Sequence, residues 1–138
     1  MNTKEKEFLT GFAGYLGTRK VEYNMHQGFS VHFRNKEIGF NCIWVQQSFE
    51  GRPYIHSYIG YCFTGFDDAE EFEEELEKKY PDFKFYADRY KYKYEIGLSQ
   101  TFQFVSYDDV YRRVLKMEDV ILAGYALGQE RFKGNFER

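Results

Sequence analysis

Cysteine, proline and histidine are scarce in this chain: two, two and three residues of 138. The two cysteines, Cys42 and Cys62, fall on neighbouring predicted strands but on alternate faces, which excludes a disulfide scaffold and points to a reducing compartment. Of the histidines, His32 and His56 sit several rows apart in the predicted sheet, and a strand separates His32 from Cys62. Neither spacing suits a metal, which needs close nitrogen and sulfur ligands, or a nucleophile with its base in hydrogen-bond contact. A basic excess is also missing. The formal net charge is −3, which argues against general nucleic-acid binding. No apolar run approaches the roughly 18 residues that span a bilayer, and the Lys/Glu-rich N-terminus lacks a signal-peptide core, so a cytoplasmic location away from membranes is expected. There is no nucleophile elbow. Gly11, Gly14 and Gly17 fail as a phosphate loop because they lie inside a helical pattern with no strand before them. Neither catalysis nor a cofactor is expected.

What the chain has in excess is aromatic side chains, 21% of residues, with fifteen Phe and thirteen Tyr against one Trp. Rings of this kind suit sheets, and exposed Tyr suits a binding surface. With 43% hydrophobic and 30% charged residues the chain is globular rather than disordered.

The stretch from Val21 to Phe66 reads as three antiparallel strands. Val21, Tyr23, Met25, Phe29, Val31 and Phe33 alternate with polar residues, the pattern of a half-buried strand. A turn at Asn35-Lys36 pairs Phe33 with Ile38, Val31 with Phe40 and Phe29 with Cys42. A loop from Ser48 to Pro53, pairing Gln47 with Tyr54, then sets Phe40 against Tyr61 and Cys42 against Ile59. In this register Phe29, Phe40 and Tyr61 point inward together. The opposite face carries His32, Asn41, Ile43, Val45, His56 and Tyr58 around a shallow floor at Gly39 and Gly60.

Around this sheet the pattern predicts a helix over 4–16 ending at Gly17, with Phe8, Leu9, Phe12, Ala13 and Leu16 as its apolar face and its glycine row marking a close approach, and a second from Asp67 to Tyr80, ended by Pro81. Asp67 and Glu70 form its expected capping box, and Ala69, Phe72, Leu76 and Tyr80 its apolar stripe. Three more strands follow: Phe83–Phe85, a turn at Asp88-Arg89, Tyr90–Leu98, and Phe102–Phe104. Ser106 and Asp109 box the start of a last helix that runs to Leu127, with Gly128 as its stop. Its two apolar rows leave surplus surface for a homodimer. The fold class is therefore α+β, with an antiparallel sheet of about six strands in α-βββ-α-βββ-α order and the long C-terminal helix packed across it. Residues 1–128 form a single domain, and 129–138 a polar, mobile tail. The element order loosely resembles that of bacterial secretion-chaperone folds.

Two functions from different classes fit. The first is a non-catalytic interaction protein of adaptor, chaperone or inhibitor type in a bacterial or phage cytoplasm. It binds a partner protein through the acidic helix (Glu70, Glu73, Glu74, Glu77) or through an aromatic sheet face. The second is a binder of a planar, nucleotide-like ligand, with His32, Asn41, Tyr54, His56 and Tyr58 lining the Gly39/Gly60 floor.

Overall fold

The computed structural model describes the backbone of residues 3–26, 30–35, 39–47 and 51–138, and the side chains of 4–25, 43–47 and 51–138. The elements are α1 (Thr3–Thr18), β1 (Tyr23–His26), β2 (Ser30–Asn35), β3 (Gly39–Gln47), β4 (Pro53–Cys62), α2 (Phe66–Lys79), β5 (Lys84–Tyr90), β6 (Lys93–Thr101), α3 (Tyr107–Phe132) and β7 (Phe136–Glu137). All the pairings described are antiparallel, and the strand order is β1-β2-β3-β4-β6-β5 with β7 beside β4. The chain divides into two compact units: residues 1–56 with 101–118, and 57–100 with 119–138. Both β4 and α3 begin in unit 1 and end in unit 2. The α+β class, the antiparallel sheet and the long C-terminal helix over the sheet are as the sequence predicts. The distribution of the strands between the helices and the registers differ.

In unit 1, α1 buries Phe8, Leu9, Phe12 and Leu16 of its predicted apolar face and leaves Ala13 half-buried. They share the unit's core with Ile43 and Val45 of β3, Ile55 of β4 and Val110, Val114 and Met117 of α3. Each fully buried side chain of this size contributes roughly 1.5–3 kcal/mol. Gly11 is the close approach anticipated in α1: the Tyr107 ring lies where a Cβ would stand. The start of α3 is capped as predicted, the Asp109 N–H donating to Ser106 Oγ at 3.1 Å.

The register of β2 to β4 is a correction. Asn35 pairs with Gly39, and after an irregularity Phe33 pairs with Ile43 and Val31 with Val45. Between β3 and β4, Val45 faces Ile55 and Trp44 faces His56, one residue away from the predicted Gln47–Tyr54 pairing. A one-residue slip exchanges the faces of a strand. Ile43 and Val45, expected outside, are both 0% exposed, and Trp44 takes the solvent side at 38%. The physical reason is that β3 carries two overlapping apolar sets, 40/42/44 and 43/45. The β-branched pair matches Ile55 across the ladder and fills the core. Phe29 and the side chains of Phe40, Cys42 and Asn41 lie outside the described residues.

In unit 2, α2 buries Ala69, Phe72 and Leu76 as its stripe predicts. Its start is corrected: Gly65 is the cap and no side chain bonds there, while Asp67 and Asp68 sit in the first turn, where the helix dipole favours acid. The β5–β6 turn is Lys91-Tyr92, not Asp88-Arg89, with Lys91 at φ 59. Phe85 therefore pairs with Leu98 and Tyr90 with Lys93. Residues 102–104 form no strand; the Phe102 N–H donates to the Pro53 carbonyl at 3.2 Å within unit 1.

The C-terminus is the largest departure. Gly128 does not stop α3, which continues to Phe132; residues 135–138 then return along β4, Cys62 pairing with Phe136 and Tyr61 with Glu137. Phe136 is 1% exposed and packs among the rings of Phe72, Tyr125 and Phe132 at 5.7, 5.9 and 5.7 Å. It lies against both Gly60 and Gly128: a Cβ on Gly60 would stand 2.7 Å from Phe136 Cε1, and one on Gly128 would overlap the same ring. The two glycines form a socket, which is why neither behaves as the punctuation its sequence suggests. The burial alternation of β4 shifts at the same place. Ile55, Ser57 and Ile59 are buried, then Gly60 and Cys62, which turns Tyr61 outward against expectation.

Candidate partner-binding face

Two local features build an aromatic face in unit 2. The shift at Gly60 sends Tyr61 outward with Tyr58, and the Lys91-Tyr92 turn sets Tyr90 opposite Lys93. The rings follow one another: Tyr58 to Tyr61 at 5.4 Å, Tyr61 to Tyr90 at 5.9 Å, and Phe63 to Tyr92 at 6.1 Å. Lys93 sits among them, its Nζ 4.0 Å from the Tyr61 ring centre and 5.6 Å from those of Phe63 and Tyr90. Lys91 Nζ is 5.7 Å from the Tyr90 centre. The Arg138 guanidinium lies 4.4 Å over Tyr58, and its Nη1 donates to the Tyr58 carbonyl at 2.7 Å. Such cation–ring contacts are worth roughly 0.5–1 kcal/mol each at exposed sites. Tyr90 and Tyr92 remain 48% and 74% exposed.

The polar partners on this face are mostly internal. Tyr86 donates to Glu95 at 3.3 Å, and burial together with the nearby Glu95 carboxylate pushes the Tyr61 hydroxyl up to about 12. At neutral pH Tyr61 is thus a protonated donor. Tyr61, Tyr90 and Lys93 were missed by sequence reasoning. The sequence pattern sets Tyr61 inward and the turn at Asp88-Arg89, which leaves Tyr90 and Lys93 on one strand instead of facing each other across the hairpin.

Of the five ligand candidates, Tyr54, His56 and Tyr58 have described side chains. Tyr54 stacks on His56 at 4.9 Å, and Trp44, which the sequence did not single out, meets His56 edge-on at 4.8 Å. Tyr58 belongs instead to the unit 2 cluster. The backbone of His32 pairs with Trp44, but its side chain and that of Asn41 lie outside the described residues. The Gly60 half of the expected floor is filled by Phe136.

The acidic helix divides along its length. Arg131 bridges Glu71 at 3.4 Å and also Glu75. These residues with Glu74, Lys78 and Lys79 line an open groove of about 510 Å³ whose charges largely answer one another. Glu70, Glu74 and Glu77 are exposed and Glu73 half-buried, and none of the four makes an ion pair among the described residues. Partial burial, then the charges of Glu77, Glu70, Glu74 and Asp88, raise Glu73 above the usual carboxyl range.

Among the described residues no group of three His, Cys, Asp or Glu is placed to hold a metal, and no helix is long and apolar enough to cross a membrane. Cys62 is a free, buried thiol 3.0 Å from Thr64 Oγ1. No family model, curated protein or solved structure matches the chain.

Proposed function

We propose that this is a non-catalytic interaction protein that binds a partner protein through the aromatic face of β4, β5 and β6 in unit 2. The observation that carries this reading is the group of half-exposed rings held together by Lys93, 4.0 Å over Tyr61. Tyr and Phe left at a surface supply large contact area at small entropic cost, and interfaces are enriched in them. The acidic helix ranks second as the contact, since Arg131 already neutralises Glu71 and Glu75. A planar-ligand site is weaker still, because Phe136 occupies the Gly60 floor and Tyr58 packs in a different cluster. The free Cys62 supports action in a reducing compartment such as the cytoplasm.

A photo-crosslinking residue at position 92 in living cells tests this. A discrete protein adduct is expected, and Tyr61→Ser or Tyr90→Ser should remove it. The same crosslinker at Lys78 on α2 should stay silent. An adduct from position 78 and none from position 92 would move the contact to the acidic helix.

A further inference from the structure

Every arginine of unit 1 with a described ion pair answers a carboxylate. Arg19 meets Asp108 at 3.3 Å, Arg112 meets Asp108 at 2.8 Å, and Arg113 meets Asp109 at 3.0 Å. In unit 2, Arg131 does the same with Glu71 and Glu75. Lys91 and Lys93 differ. Each is held over a tyrosine ring, and neither makes an ion pair among the described residues. Their chain carries an acidic excess, with net charge −3. Glu95 of the same hairpin accepts from Tyr86 at 3.3 Å.

We infer that the aromatic face takes an acidic segment of its partner protein, whose carboxylates seat on Lys91 and Lys93 while apolar or aromatic side chains between them lie on Tyr61, Tyr90 and Tyr92. This rests on the binding face proposed above and adds the partner's chemistry. A lysine resting on a ring keeps N–H donors directed away from it, so a carboxylate can complete the contact without displacing the ring. Lys93 is half-buried among the rings, which lowers the entropic cost of fixing its long side chain on binding. Two cations among several rings match a short segment with few carboxylates. They match a phosphate backbone poorly, because nucleic-acid affinity is built from many phosphate contacts.

The test uses the full chain and four fluorescent probes: a random Glu–Tyr copolymer, polyglutamate, a random Lys–Tyr copolymer and oligothymidylate. Light scattering establishes that the protein is monomeric at the assay concentration. Fluorescence anisotropy should find the Glu–Tyr copolymer bound best, polyglutamate more weakly and the Lys–Tyr copolymer not at all, with affinity falling as salt rises. Lys91→Met with Lys93→Met keeps the aliphatic stems and removes the charges; it should weaken Glu–Tyr binding at least about tenfold. Lys91→Glu alone, in the exposed turn, should weaken it in the same direction. Preference for oligothymidylate, unchanged binding by the double variant, or self-association lost on removing the lysine charges would each overturn the inference. If the adduct at position 92 survives in the double variant while the copolymer is not bound, the face stands and only its acidic partner is wrong.

Discussion

In unit 1 the rings of Phe8, Phe12, Tyr15, Phe104 and Tyr107 close on one another, whereas in unit 2 those of Tyr58, Tyr61, Tyr90 and Tyr92 spread over an outer face. The residue types are alike and the separations similar: Phe12 to Tyr107 is 5.9 Å, and so is Tyr61 to Tyr90. What differs is burial and the fate of the hydroxyls. Phe12 is 0% exposed, and Tyr15 donates to Asp108 at 2.7 Å, a carboxylate shared by Arg19 and Arg112. In unit 2 Lys91 and Lys93 stand over the rings themselves, and neither makes an ion pair among the described residues. An aromatic cluster whose polar groups are answered internally holds a fold together. One whose cations are not answered internally is available to a partner.

The comparison breaks first at the buried rings. Phe12→Ala should cost about 3–5 kcal/mol in urea unfolding, the usual loss for a large ring deleted from a packed core. Phe136→Ala should cost a similar amount, about 3–5 kcal/mol, because its socket between Gly60 and Gly128 has no other occupant to close it. A change near zero for Phe136→Ala would restore the mobile tail that the sequence suggests.

That tail marks where the sequence stops being legible. Helix faces were readable because 3.6-residue spacing needs no partner to be seen: Phe8, Leu9, Phe12, Leu16, Ala69, Phe72 and Leu76 are buried as predicted, with Ala13 and Tyr80 half-buried at the edges. The Ser106 cap was readable for the same reason, being local. Registers were not. In β3 the residues 40–45 offer two apolar sets one residue apart, and only the long-range match of Val45 to Ile55 decides between them. The β5–β6 turn carries no glycine; Lys91 takes a positive φ that side-chain identity does not announce. Phe136 looked like one ring in a polar tail, and its partners lie 4 to 76 positions away. The aromatic face depends on all of these non-local choices, so the sequence suggested an aromatic sheet face but not its members.

Smaller effects should separate the two clusters further. Tyr15→Phe removes the hydroxyl that contributes most to holding Asp108 below the usual carboxylate range, with Arg112 and Arg19 adding to it. Because the folded value is depressed, the stability it supplies is present above the ordinary carboxyl range and lost as pH falls through the depressed value. The variant should therefore melt below the native protein at neutral pH, by less than Phe12→Ala, and the gap should close on acidification. Glu73 has the opposite sign. Its folded value is raised by partial burial and by the carboxylates around it, so its favourable contribution exists at low pH and disappears as pH rises through that value. Glu73→Gln should stabilise by about 0.2–0.5 kcal/mol at neutral pH, the scale of a like-charge helix pair, and by nothing in acid.

The smallest expected change in stability is the most informative. Tyr92 is 74% exposed at the tip of the β5–β6 turn, and its one described ring contact is with Phe63 at 6.1 Å. Tyr92→Ser should leave the unfolding free energy within about ±0.5 kcal/mol, as for surface substitutions away from caps and cores. The same substitution should weaken binding of the Glu–Tyr copolymer, because it removes the most exposed ring of the proposed face. A structural role would give the reverse pattern, with a lower urea midpoint and unchanged anisotropy. That outcome would put the unit 2 rings in the same class as Phe12, and the contrast between the two clusters would be one of degree of burial alone.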